Sequence, residues 1–335
     1  MILDPGLLDV REIQLERATL QFHYPIPTVH GPVDTRDVII LTAADASGNF
    51  GLGEAAPLAG FTSETLQDVE NALHEWASDS NPGHLIGRPT ARAAVDTALL
   101  DLASQIARRP LHDLISPGSP QVIPVSTLIN GQTPEQAANS AGAAVEVGYK
   151  TVKLKVGLLP FSEDIARVAA VRSAVGDAKI RLDANGAWGL SEAIDHLTRL
   201  DRYHLEFIEE PVRGLEALAA VRVNSPVPVA SDESVRTIDD LHRAIKLGSA
   251  DIVVLKPSAL GGPQLTASAT QAATEAGLPV VLTSLLESSV GIRSTAHLAS
   301  ALGTLDPAPG LATATLLAID SGEPFLPVNG QLHLG

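Results

Sequence analysis

Between residues 151 and 157 the sequence Thr-Val-Lys-Leu-Lys-Val-Gly sets apolar Val152, Leu154 and Val156 against Lys153 and Lys155. A period of two is that of a β-strand whose side chains point alternately to two faces. Further along, apolar runs close on Asp183, Glu209, Asp232, Lys256 and Ser284, at steps of 28, 26, 23, 24 and 28 residues counted from Lys155. Such a step holds one strand, one helix and two loops, so the pattern predicts a repeated strand–helix unit with a polar residue at each strand's carboxyl end. In a parallel barrel one strand face meets the helices and the other points inward, which puts both lysines inside. Burying two ammonium groups without countercharge is very costly. Three carboxylates delivered to the same rim, with a divalent metal between them, give the lysines a reason to be there.

The rest of the pattern divides the chain. Glu16 to Phe22 alternates, Val38 to Leu41 is a buried run, and Ser47-Gly48-Asn49 suits a hairpin turn. The Pro- and Gly-rich stretch from Tyr24 to Asp34 reads as a loop suited to act as a lid, and Pro57 to Phe61 as a second loop. Helical stripes follow: one capped by Ser63 with Leu66, Val69, Leu73 and Trp76, another with Val95, Leu99, Leu102 and Ile106 that stops before Pro110. Strands followed by helices predict an α+β domain over residues 1–118. From Gln121 strands and helices alternate. Strands are expected at 122–128, 179–183, 205–209, 227–231, 251–255 and 279–283, besides 151–155. Helices are expected from the Thr133 capping box to Gly148, then at 163–175, 191–200, 237–247 and 263–276. This number of units favours closure into a barrel over 119–310. The Pro/Gly-rich chain 311–335 is expected to return and complete the first domain.

Composition narrows the function. With a formal charge of −16 and no clustered Lys and Arg, nucleic acid is excluded as a partner. An anionic substrate must be attracted locally, by a metal and a few cationic side chains. Cysteine is absent, which removes disulfides, thiolate zinc sites and a cysteine nucleophile. Met1 to Leu20 lacks a basic-then-apolar pattern and no apolar run approaches membrane-spanning length, so neither export nor membrane insertion is expected and a cytoplasmic location is the default. Gly51-Leu52-Gly53 follows a hairpin and lacks a third glycine, and there is no phosphate loop and no Gly-x-Ser-x-Gly elbow.

A single Asp at a strand end is more often a helix cap than a ligand; acids closing three successive strands of one barrel shift those odds. Oxygen-only ligation suits Mg²⁺, or Mn²⁺, rather than zinc. Periodicity leaves Glu209 and Glu210, and likewise Asp232 and Glu233, as competing alternatives. Lys155 and Lys256, on the second and sixth strands, approach the barrel mouth from opposite sides. A lysine acting as general base must be partly neutral near pH 7, and a divalent cation and a second ammonium both push it that way. The metal would stabilise the negative charge formed when a proton leaves the carbon beside a carboxylate.

The series Lys-x-Lys, Asp-Ala-Asn, Ile-Glu-Glu-Pro, Ser-Asp-Glu-Ser and Leu-Lys-Pro-Ser resembles the enolase superfamily, in the branch of muconate cycloisomerases, dipeptide epimerases and o-succinylbenzoate synthases. Three further stretches, Gly53 to Thr62, Arg181 to Trp188 and Ser284 to Gly291, resemble the synthases; the charged Arg293 departs from that pattern. The resemblance implies a modified TIM barrel of (β/α)7β type with an N-terminal α+β capping domain. It implies Asp183, Glu209 and Asp232 as metal ligands, in preference to Glu210 and Glu233. It also implies syn dehydration of 2-succinyl-6-hydroxy-2,4-cyclohexadiene-1-carboxylate to o-succinylbenzoate, a step in menaquinone synthesis. Lys155 would remove the proton and return it to the departing hydroxyl, Lys256 would lie over the ring as a cation–π partner, and Lys153 would hold a carboxylate oxygen. Arg181 is expected either to order the lysine pair or to form a surface salt bridge, and Asn185 to lie behind the ligands. Ser258, Gly261, Gly262, Ser284, Glu287 and Ser288 are candidate substrate contacts, the glycine turn and 284–288 through backbone N–H groups. Two rivals stand beside this: epimerisation of a dipeptide or racemisation of an N-acylamino acid, with both lysines exchanging protons, and a barrel that binds an anion without turnover. A dipeptide's ammonium needs an acid on the seventh- or eighth-strand side, where residues 281–291 offer only Glu287.

Overall fold

The computed structural model describes residues 8–28 and 31–335, apart from the side chains of residues 27 and 28. The first part is an antiparallel sheet with helices on one face. Strands β1 (Val10–Thr28), β2 (Gly31–Asp45) and β3 (Phe50–Ala55) are joined in sequence order. The β1–β2 pair is far longer than the two short runs read from the sequence. The expected loop from Tyr24 to Asp34 is strand on both sides: Ile26 pairs with Val33 and Pro27 with Pro32. Val29 and His30 of that stretch lie outside the described residues, as do residues 1–7 of the N-terminal stretch read for an export signal. The turn at 46–49 forms as its residues dictate. The Asp45 carboxylate accepts the Ser47 and Asn49 N–H groups at 2.8 and 2.9 Å, and Gly48 takes φ +85°.

Helices α1 (Leu66–Asp79), α2 (Pro89–Ala107) and α3 (Leu111–Ile115) follow. The cap of α1 is Thr65, in a capping box with Asp68, rather than Ser63. Gly51 and Gly53 let β3 lie directly on α2: a Cβ on Gly53 would come within 1.9 Å of the Ala94 carbonyl oxygen.

The barrel takes the chain next. The stretch 122–128 is two strands, not one. β4 (Val122–Pro124) leaves the barrel to pair with a C-terminal strand, and β5 (Thr127–Ile129) starts the barrel wall. Then come α4 (Pro134–Glu146), β6 (Thr151–Lys155), α5 (Phe161–Val175), β7 (Lys179–Asp183), α6 (Leu190–Leu200), β8 (Phe207–Glu209), α7 (Leu215–Asn224), β9 (Val229–Ser231), α8 (Ile238–Leu247), β10 (Ile252–Leu255), α9 (Pro257–Leu260), α10 (Pro263–Glu275), β11 (Val280–Leu282) and α11 (Ser289–Leu302). Strands β5 to β11 form a seven-stranded parallel sheet in sequence order. An extended segment closes the ring where an eighth strand would stand. The Ser126 N–H donates to the Pro309 carbonyl at 2.8 Å, and the Gly310 N–H donates to the Leu282 carbonyl at 2.9 Å.

Helices α3, α7 and α9 have no counterpart in the sequence reading, and of α11 only a Ser-capped start within 284–291 is open there as an alternative. α7 follows Gly214, which offers no side-chain cap, and its Ala/Leu/Val run shows little polar contrast; burial of Leu215, Leu218 and Val221 against the barrel fixes it. After Leu311, strand β12 (Leu317–Ile319) joins the first sheet beside β1, while β13 (Gln331–His333) pairs with β4.

The alternation in β6 sets the layers. Val152 and Leu154, fully buried, pack with Leu182, Ile208 and Leu255 in the core between strands and helices. Lys153 and Lys155 take the inner face. The lower interior is plugged by Phe207, Ala230, Ile252, Val254 and Val281. Truncating a side chain of the layer between strands and helices, as in Leu154→Ala, costs about 2–5 kcal/mol.

Candidate active site

Sheet register assembles the site. Lys155 is paired with Asp183, and Asp183 with Glu209, so these residues form a row across three strand ends, while Lys153 stands beside Arg181 one layer deeper. Glu209 pairs with Ala230, which sets Asp232 just beyond the end of β9. The Lys153 ammonium bridges Asp183 Oδ2 at 2.9 Å and Glu209 Oε1 at 2.6 Å. Lys256 pairs with Asp232 and stands 4.5 Å from the centroid of the Phe61 ring. Lys155 Nζ donates to Asn185 Oδ1 at 2.9 Å, and Asn185 Nδ2 donates to Glu233 Oε1 at 2.8 Å.

These contacts have clear electrostatic consequences. Burial alone would lower the Lys153 and Lys256 pKa values, but facing carboxylates overcome it and raise both. Burial likewise works to raise Asp183, yet Lys153 and Lys155 hold it down at about 2. Burial pushes Glu209 up to about 7, with Lys153 opposing and Asp183 and Asp232 assisting. With Lys155 neutral, as a base requires, the carboxylates of Asp183, Glu209, Asp232 and Glu233 face two ammonium groups, so a bound dication would bring the mouth to neutrality and relieve its repulsion of an anion.

The alternatives that periodicity left open separate by environment. Glu210, at φ +41°, turns behind the wall, where its carboxylate accepts the Asp232 N–H at 2.8 Å and the Ser234 hydroxyl. Burial pushes it up to about 8. Glu233 does face the cavity, but through Asn185.

A cavity of about 410 Å³ opens over this row. Opposite the acids, its wall consists of Ser126, Thr127 and Leu128, residues 283–286, residues 310–316 in part, the hairpin end at Ile26 and Val33, and Leu58 to Phe61. No acid lies on that side among the described lining residues. Ser284 contributes a hydroxyl bonded to the Thr313 hydroxyl at 2.6 Å.

Arg181 neither orders the lysines nor lies at the surface. It is 2% exposed, donates to Glu206 Oε2 and to the Ala308 carbonyl at 2.6 Å, and stacks 4.8 Å from the Phe207 centroid. Its Nη2 is buried, with no hydrogen-bond partner among the described residues.

Five candidate substrate contacts stand elsewhere. Ser258, Gly261 and Gly262 do not line the cavity. The two glycines, at φ +100° and +102°, let the chain turn against α2, where a Cβ on Gly262 would meet Ala93 and Asp96 at 3.1 Å. Glu287 is buried against the Leu285 N–H, facing Arg36 and Glu54, and Ser288 caps α11. Sequence reasoning missed the partner that explains this last pair. Glu54 crosses from β3 to accept the Ser288 N–H, the Ser288 hydroxyl and the Gly291 N–H, and burial with Glu287 nearby pushes it up to about 7. An acid inside Gly53-Glu54-Ala55 next to apolar residues was the available signal.

The donor chemistry fits a hard divalent cation: carboxylate oxygens only, with Asp183 and Glu209 near enough to share one ammonium. As the side chains stand, lysines supply the countercharge, and no three acids or histidines among the described residues close around one point.

A family model described as "Enolase C-terminal domain-like" matches residues 136–335. This chain belongs to the enolase superfamily. Among curated enolase-superfamily relatives, an o-succinylbenzoate synthase of Thermobifida fusca is 42% identical over 214 residues, which is 63% of this chain and 66% of that protein, just under two thirds of its length. A hydrophobic dipeptide epimerase of Enterococcus faecalis is 30% identical over 98% of both chains. The solved structure of the dipeptide epimerase from Enterococcus faecalis V583 with Mg and L-Leu-L-Tyr superposes with a TM-score of 0.89 at 27% identity, over 98% of each chain. Members of the enolase superfamily are enzymes that bind Mg²⁺.

Proposed function

We propose that the chain is an o-succinylbenzoate synthase acting in menaquinone biosynthesis in the cytoplasm. Among the described residues, no helix is long and apolar enough to cross a membrane. The observation that carries this reading is the acid-free wall opposite Lys155. The substrate is a dicarboxylate bearing a ketone and a hydroxyl, and it meets a wall lined by Ser126, Ser284 and Thr313 and by apolar Leu285 and Leu286. A dipeptide presents an ammonium that this wall leaves unpaired, at a cost of several kcal/mol. Glu287, the one acid that could have met it, is turned into the protein.

Asp183, Glu209 and Asp232 would hold a magnesium ion, whose chemistry when bound is to stabilise negative charge growing on the substrate carboxylate. Lys155 acts as the base. Its neutral Nζ, aimed by Asn185 Oδ1, takes the proton from the carbon bearing the carboxylate. The resulting ammonium passes that proton to the hydroxyl leaving from the same face, water departs, and the ring becomes aromatic. Lys256, anchored by Asp232 and stacked on Phe61, stays cationic over the ring face and moves no proton. Leu58, Phe61, Leu286, Ile26 and Val33 cover the reacting carbon and exclude water.

The second reading, epimerisation or racemisation with Lys155 and Lys256 as opposed bases, is supported by the full-length similarity to the Enterococcus faecalis epimerase. It also requires an acid to meet a dipeptide's ammonium, and none stands on the wall opposite Lys155 among the described lining residues. The deciding experiment incubates purified protein with Mg²⁺ and the cyclohexadiene substrate, following loss of diene absorbance, and separately with dipeptides and N-succinylamino acids in D₂O, following α-proton exchange. Efficient dehydration with slow exchange supports the synthase. Exchange without dehydration overturns it.

A further inference from the structure

A second cavity, of about 360 Å³, lies between α2 and α3 on one side and α11 on the other, away from the lysines and acids described above. It has an unusual set of free donors. Arg293, the residue that breaks the synthase-like pattern, stacks 4.3 Å from the centroid of Phe325 and makes no hydrogen bond or ion pair among the described residues. His297, 8% exposed, lines the same wall one helical turn on. Its Nδ1 receives the His112 backbone N–H at 3.4 Å, so it is an acceptor, and the 3.0 Å contact from His112 Nδ1 must also donate to it. The His297 proton therefore sits on Nε2, the nitrogen left to face the cavity. Burial, with His112 and Arg293 nearby, holds the ring far below the ordinary histidine range, at about 3, so it stays a neutral donor at pH 7. The Ser294 hydroxyl lines the wall beside them, also without a partner among the described residues. Leu52, Leu111 and Val290 supply an apolar surface. Two acids line this wall: Asp101 accepts the Leu52 N–H at 2.8 Å and interacts electrostatically with Arg293, and Glu323 stands exposed to solvent.

We infer that this interdomain cavity is a second ligand site, taking a small organic carboxylate whose head group meets Arg293 and His297 Nε2–H and whose apolar body lies on Leu52, Leu111 and Val290. A guanidinium stacked on an aromatic ring keeps its N–H edge free for a carboxylate, and a neutral N–H beside it adds a directed bond. The inference is independent of the reaction proposed for the barrel mouth.

Benzoate is the probe. Full-length protein carrying ring-¹³C-labelled histidine is titrated with sodium benzoate at pH 7, and the His297 resonance, assigned through His297→Gln, is followed by NMR. A saturable shift of that resonance is expected, weakened about tenfold or more in Arg293→Gln and by less in Ser294→Ala. Because the reporter sits in the cavity itself, benzoate entering the barrel mouth does not mimic the signal. If Arg293→Gln melts well below the wild type, Arg293→Lys, which keeps the charge but not the planar fork, takes its place and should bind severalfold more weakly. A His297 resonance that does not move through the millimolar range, or equal affinity in wild type and the folded Arg293 variant, overturns the inference.

Discussion

On one side of the barrel mouth, strands β6 to β10 deliver Lys153, Lys155, Asp183, Glu209, Asp232 and Lys256, and each is held by a partner within the same network. On the other, β11, the 308–316 segment, the β1–β2 hairpin and the 58–61 loop deliver hydroxyls and hydrocarbon. The first side is built from strand ends repeated at nearly constant spacing, and it suits any proton abstraction next to a carboxylate. The second is built from parts of the chain that are far apart in sequence, and on the proposed reading its lack of acids is what favours a dicarboxylate over a dipeptide. On that reading, reaction type and substrate choice reside on different walls.

The sharpest way to break this division is to disable the charged wall. Lys155→Ala should lower turnover by about 10³–10⁴-fold, measured by loss of diene absorbance, while Mg²⁺ binding followed by calorimetry persists. Chelating the divalent ion should abolish activity, and adding back Mg²⁺ should restore it. Next comes a charge placed on the neutral wall. Ser284→Asp should reduce dehydration by about 100-fold through repulsion of the substrate carboxylate, with kcat/KM as the readout. The same variant should gain measurable dipeptide exchange, since an ammonium now has a partner; no gain would mean that the wall does not control choice.

A smaller effect tests the clasp between β3 and the start of α11. Glu54 titrates at about 7 in the folded protein against about 4.5 when free, so the folded state holds its proton more tightly. That contribution to stability is fully present below about pH 4.5 and is lost as the pH rises through 7, a total on the order of 3 kcal/mol. Thermal melts between pH 5 and 8 should show this decline, and Glu54→Gln should make it shallower, leaving the part due to Glu209 and Glu210. Smallest of all, Phe61→Ala should raise KM about three- to tenfold and leave kcat nearly unchanged, the cost of one ring beside Lys256.

The charged wall was legible because a strand alternates with period two and a barrel repeats. Lys153 and Lys155 had to share a face, and acids at the ends of β7, β8 and beyond β9 had to meet them. The choice of Glu209 over Glu210 was not legible from period alone; it is set by the left-handed backbone at Glu210, which sends that side chain behind the wall. The neutral wall was barely legible. Ser126 and Gly310 become neighbours only when the ring closes, and Tyr24 to Asp34 looked like loop because proline and glycine are common in turns, yet cross-strand pairing holds it extended. Gly261 and Gly262 resembled a carboxylate cradle, but their positive φ serves close packing on α2. Of helix α11 only a Ser-capped start was open as an alternative, because one of the groups that fixes it, Glu54, lies 234 residues away from Ser288.

That long-range acid has a practical corollary for anyone recombining this enzyme with its relatives. A chimera that exchanges the first hundred or so residues would transplant one half of a three-bond clasp and leave Ser288 and Gly291 facing whatever the donor happens to carry. Crossovers that move Glu54 together with the 287–291 stretch keep the clasp whole, and are the ones from which soluble, correctly seated hybrids should be recovered.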